Sequence, residues 1–106
     1  MFNIGVISDT HGLLRPQASE LLRGSDAIIH AGDVGGPDIL VDLEKIAPVT
    51  AVRGNIDTAA WSKKLPETNV LKHGGLHIYV LHDFQRLDLK ASIAGFAAVI
   101  FGQNQT

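Results

Sequence analysis

Short apolar runs alternate along the first half of the chain with stretches whose apolar positions recur at helical spacing. Phe2 to Ser8 is rich in β-branched and apolar residues and reads as a buried first strand. Asp26 to Ala31 reads as the second strand and Pro48 to Arg53 as the third. Between the first two, Ala18, Leu21 and Leu22 have helical spacing, with Pro16 suited to the first turn and Gly24 to the end. Gly35, Gly36 and Pro37 mark a loop and a second helix start; Ile39, Leu40, Leu43 and Ile46 follow at helical spacing, and Pro48 closes that helix. The order β-α-β-α-β predicts right-handed crossovers and a parallel sheet.

The pattern changes after Asn55. Asp57 to Lys64 reads as irregular or short helix, with Trp61 packing there. Glu67 to Lys72 and Leu76 to Leu81 read as two strands around the turn His73, Gly74, Gly75. Arg86 to Ala94 is a helix candidate, and Ala97 to Phe101 is the last strand. A hairpin added to a parallel sheet predicts a mixed α/β layer fold. No internal repeat and no linker interrupt it.

Composition narrows the class. With 106 residues the chain fits a single domain, 1–106, and 45% hydrophobic residues suffice for a core. A net charge of -2 gives no general attraction for nucleic acid or membrane. No apolar run approaches the ~20 residues of a membrane helix, and the amino terminus lacks the basic and apolar regions of a signal peptide. The absence of cysteine excludes disulfides and thiolate metal sites. The expectation is a cytoplasmic domain.

Candidate chemistry gathers where the apolar runs end. Asp9, Thr10 and His11 follow the first, and Asp33 comes soon after the second. Gly54 and Asn55 follow the third, and His82 and Asp83 follow Leu81. The fifth run is followed by Gly102, Gln103, Asn104 and Gln105. Each interval is about one strand-plus-connection unit, so all five points can lie at one edge of the sheet, outside the carboxyl ends of its strands. Asp9 and His11, alternating on an extended segment, would share one side. Carboxylates, an amide and imidazoles gathered there suit divalent metals, and paired metals suit phosphate ester cleavage. Taken singly, each of these residues has a plainer reading: Asp9 and Asp33 as turn or cap residues, Gly54 and Asn55 as a left-handed turn, His82 as structural. Their order along the chain favours a shared site. His30, inside the second strand, reads as a core residue or as one that orients Asp33. His73 and His77 flank a solvated turn, Arg53 is a weak candidate for holding a phosphate, and the role of Asp57 is open.

The series Asp9-Thr10-His11, Gly32-Asp33, Gly54-Asn55-Ile56-Asp57 and His82 resembles the calcineurin-like metallophosphoesterases, most closely their small single-domain bacterial and archaeal phosphodiesterases. The resemblance runs from Phe2 to Gly102. It implies a β-sandwich flanked by helices, with Asp9 and His11 on one metal, Asp33 bridging, and Asn55 and His82 on a second. Asp33 and Asn55 are thereby also the catalytic candidates. It further implies two divalent ions (Mn, Fe, Co, Ni or Zn) and hydrolysis of a small phosphodiester or phosphomonoester. Ile56 stands where members with a histidine-bearing motif have a catalytic histidine, which points to the phosphodiesterase-like branch. Gln103 and Gln105 stand where the family has two ligating histidines, and are the weaker metal candidates. The family continues with further strands, so the resemblance makes this domain C-terminally incomplete and leaves three explanations open: a shortened or altered form of an enzyme, a degenerate homologue, or a fold completed by pairing with another chain, which would make a homo-oligomer. The rival reading is a non-catalytic scaffold or protein-interaction module, the use to which retromer puts its phosphoesterase-like subunit. A flavodoxin-like or receiver domain explains neither Asn55 nor His82.

Overall fold

A computed structural model describes residues 2–83 and 98–103. In chain order the elements are β1 (Ile4–Ile7), α1 (Pro16–Leu22), β2 (Ala27–His30), α2 (Pro37–Glu44) and β3 (Val49–Ala51), then a 3-10 turn (Ala60–Lys64), β4 (Thr68–His73), β5 (Leu76–Asp83) and β6 (Ala98–Gln103). The helix expected over Arg86 to Ala94 lies outside the described residues.

Among the described residues the strands form two three-stranded sheets, ordered β1-β2-β3 and β4-β5-β6. The first is parallel throughout, as the β-α-β-α-β order requires. In the second, β4 and β5 form an antiparallel hairpin about Gly74, and β6 runs parallel to β5. The hairpin therefore does not extend the first sheet. It founds a second sheet, which packs on the first.

The alternation of β2 shows why. Ile28 points to a helix-side core with Leu22 of α1 and Ile39 and Leu43 of α2. Ile29 and Ala31 point the other way, onto Val52 and onto Val80 of β5, with Ile78 and Ile100 alongside. A strand covered on both faces is buried at every position, and all four residues of β2 are, three of them apolar and the fourth, His30, hydrogen-bonded. The layers are helices, parallel sheet, mixed sheet.

Both helices begin at prolines, Pro16 and Pro37, whose missing N–H costs nothing in a first turn. On α1 only part of the expected face is used: Leu22 is buried, whereas Leu21 is 86% exposed. On α2 Ile39 and Leu43, four residues apart, enter the core. Trp61 is half-buried against the same helix-side core.

Candidate metal centre

The candidate residues converge where the carboxyl ends of β1, β2 and β3 meet β5. Asp9, Asp33 and Asn55 lie in loops leaving the first sheet, and His82 lies within β5 of the second. The site thus lies between two sheets, not along one sheet's edge as the regular spacing suggested.

Three of the candidates share a backbone state. Asp9, His11 and Asp33 have φ of 56°, 50° and 57°, and they are the non-glycine residues with positive φ among those described. This left-handed region is uncommon for side-chain-bearing residues and clusters at functional sites. Asp9 and His11 therefore reach the same side through a left-handed turn and not through extended alternation. Tertiary hydrogen bonds impose the turn: the N–H groups of Asp9, His11 and Gly12 donate to the carbonyls of Gly32 (2.9 Å), Asp33 (3.0 Å) and Val34 (2.8 Å).

The side-chain geometry follows. Ligand atoms of Asp9, Asp33 and His82 all lie within 4.8 Å of one another, a spacing that can hold a metal ion. His11 Nε2 lies 3.6 Å from Asp9 Oδ1 and 3.7 Å from Asp33 Oδ2. His82 Nε2 lies 3.4 Å from the same Asp33 Oδ2. One oxygen of a buried carboxylate thus faces two imidazoles. Asp33 Oδ1 accepts the Ile56 N–H at 3.1 Å, which fixes the carboxylate's orientation.

The His82 ring is fixed too. Its Nδ1 is 2.7 Å from the Ala31 carbonyl, which can only accept, so Nδ1 carries a proton and Nε2 is the nitrogen that faces Asp33. The 3.4 Å between His82 Nε2 and Asp33 Oδ2 suits a shared cation, as it also suits an ion pair with a protonated ring. An imidazole whose second nitrogen donates to a backbone carbonyl is the usual state of a metal-ligating histidine. Donors sharing one ion at bonds of about 2.0–2.2 Å stand roughly 3–3.6 Å apart, close to the separations here. The donor set fits a divalent transition metal.

Asn55 is exposed and, with Arg53, Glu67 and His82, lines a small cavity of about 150 Å³ beside the cluster. Arg53 reaches this cavity, but its Nη2 lies 3.2 Å from Glu67 Oε1, so its guanidinium already faces a carboxylate. Gln103 pairs through its backbone with Asp83, and Gln105 lies outside the described residues.

Asp57 has a larger part than its sequence position suggested. Its buried carboxylate accepts the N–H groups of Val34 (3.0 Å) and Gly54 (2.9 Å) on Oδ2 and of Gly35 (3.0 Å) on Oδ1. It ties the loop carrying Asp33 to the loop carrying Asn55. Gly54 completes that junction, since a Cβ there would run into the Asp33 backbone N and Oδ1.

His30 acts on Thr10 and not, as expected, on Asp33. The Gly32 N–H donates to its Nδ1 (3.1 Å), so the proton of the neutral ring is on Nε2, which donates to Thr10 Oγ1 (3.0 Å). Thr10 in turn donates to the Val34 carbonyl (2.8 Å). Burial lowers the His30 pKa to about 4, against the opposing pull of Asp57, Asp9 and Asp33. The ring is neutral at pH 7, as the relay demands.

A carboxylate–imidazole cluster at the strand ends of a two-sheet sandwich defines a metal-site fold. The sequence model of the calcineurin-like phosphoesterase superfamily domain matches residues 2–103, and the chain belongs to that superfamily. A probable metallophosphoesterase of Methanocaldococcus jannaschii is 38% identical over 97% of this chain and 58% of its own length. One of Methanothermobacter thermautotrophicus is 49% identical over 51% of this chain and 34% of its own. Chaetomium thermophilum Vps29 superposes with a TM-score of 0.76 at 25% identity, covering 95% of this chain and 62% of that one. Entamoeba histolytica Vps29, solved in complex with Zn2+, superposes with a TM-score of 0.61 at 27% identity, covering 80% of this chain and 50% of that one. The chain therefore spans between about a third and three fifths of the length of these relatives. Among the described residues no helix is long and apolar enough to cross a membrane.

Proposed function

We propose that the chain is a metal-dependent phosphoesterase acting on small phosphodiesters or phosphomonoesters in the cytoplasm. The observation that carries this reading is the buried Asp33 Oδ2 facing both His82 Nε2 (3.4 Å) and His11 Nε2 (3.7 Å), with Asp9 at its side. In this reading Asp9 and His11 would hold one divalent ion, His82 and Asn55 would hold a second, and Asp33 would serve both. Bound ions supply Lewis acidity and lower the pKa of water, the two needs of ester hydrolysis at neutral pH. The chain's own residues hold and orient. Ala31 fixes the His82 tautomer, Ile56 N–H fixes the Asp33 rotamer, and the Asp57 clamp sets the distance between the two loops. The Zn2+ complex of a 27% identical Vps29 supports zinc as one of the metals, beside manganese.

The Vps29 likeness also supports a second reading, an interaction module on the same fold. Hydrolysis of bis-p-nitrophenyl phosphate with Mn2+ or Zn2+ separates the two. Metal-dependent turnover that Asp33→Asn abolishes is expected. Its absence with every divalent metal would favour the module.

A further inference from the structure

A groove of about 490 Å³ opens on the Asp9 and His11 side of the cluster. Its size is that of a small-molecule site. Leu13, Leu14 and Ala18 line it, and Arg15 stands among them. Leu13 is 55% exposed although it is a large apolar residue. That exposure does not come from a loose segment, because the Leu13 N–H donates to the Thr10 carbonyl (2.9 Å) and Gly12 is tied to Val34 (2.8 Å). Together with Leu14 and Ala18, Leu13 gives the groove an apolar wall next to the polar cluster, the usual make-up of a small-molecule site. Arg15 makes no ion pair among the described residues, unlike Arg23 and Arg53, which face Glu20 and Glu67. The cavity on the other side of the cluster is smaller, about 150 Å³, and Glu67 and Asp83 line it. Its size disfavours a ring there.

Resting on the phosphoesterase reading, we propose that the groove receives the organic group of the substrate. The preferred substrate class is then phosphoesters bearing an aryl or heteroaryl ring. The ring covers Leu13, Leu14 and Ala18, and the Arg15 guanidinium draws the anionic ester to this side of the metal cluster. Small-headed esters lack the surface to use this groove.

The test is an NMR titration of the full chain loaded with Zn2+, using phenylphosphonate and methylphosphonate as probes that cannot be hydrolysed. Phenylphosphonate is expected to bind about tenfold more tightly, the worth of burying part of one ring face, and to shift the Leu13, Leu14 and Ala18 methyl signals. Leu13→Ser is expected to bring the two affinities close to parity, and Arg15→Ala to weaken both probes. Equal affinities in the wild type, or a preference untouched by Leu13→Ser, would overturn the groove assignment while leaving the phosphoesterase reading standing. Failure of zinc and of both phosphonates to bind would sink both together.

Discussion

Replacing Asp57 by asparagine should destabilise the fold by about 3 kcal/mol. The carboxylate takes two N–H groups on Oδ2 and one on Oδ1. An asparagine that keeps its oxygen at the Oδ2 position must aim its amide nitrogen at the Gly35 N–H, donor against donor. One hydrogen bond to a charged group is then lost, at about 1.5–3 kcal/mol. The remaining two weaken from charge-assisted to neutral, adding about 1 kcal/mol. Gly35 is exposed, so water can take up its N–H and no full burial penalty applies. At roughly 4–8 °C per kcal/mol for a domain of this size, Tm should fall by about 12–24 °C. Urea unfolding followed by circular dichroism measures this, with Asp26→Asn as the control. Asp26 also accepts a backbone N–H, from Asn3 at 2.7 Å, but is exposed, and its loss should cost no more than about 1 kcal/mol. An Asp57→Asn unfolding free energy within about 0.5 kcal/mol of wild type, or no lower than that of Asp26→Asn, would refute the clamp.

Other outcomes follow from the same geometry. Because the folded-state pKa of His30 lies near 4 and its unfolded value near 6.5, the unfolded chain binds the extra proton between those pH values. The His30 contribution is therefore complete above pH 6.5, declines as pH falls toward 4, and levels off below, a total of about 3 kcal/mol. Unfolding of His30→Gln across that window should show a shallower pH dependence; an unchanged slope would contradict the neutral relay. Gly54→Ala should lower both Tm and zinc affinity, since its methyl group displaces Asp33; calorimetry showing wild-type affinity would contradict the close packing. Zinc at about 100 times its Kd should stabilise the wild type by about 2.7 kcal/mol, reversed by EDTA, and thermal unfolding with and without the chelator reads this directly.

Much of the fold was legible because local pattern and tertiary environment agree. The apolar runs announced β1, β2 and β3, Pro16 and Pro37 announced helix starts, and Gly74 announced the hairpin. The strand covered on both faces, however, is β2 and not β1, which lies at the sheet edge with Val6 51% exposed. Local pattern does not say which sheet a hairpin joins, and here it joined a new one. The site residues were visible as polar types at strand ends, and the structure brings Asp9, His11, Asp33 and His82 together. What could not be read is what long-range hydrogen bonds impose. The left-handed turn at Asp9 and His11 is held by carbonyls of Gly32 and Asp33, distant in sequence. The same holds for Asp57, whose partners Val34 and Gly35 lie on another loop. Its one local signal was the short Gly54 to Asp57 spacing, bonded from N–H to carboxylate within the loop.

The most direct measurement is calorimetric titration of Zn2+ into the metal-stripped chain and into Asp33→Asn. A saturable wild-type site that weakens at least about a hundredfold in the variant is expected, since the shared oxygen loses its charge. Equal binding by both proteins, or none by either, would contradict a metal centre built on Asp33.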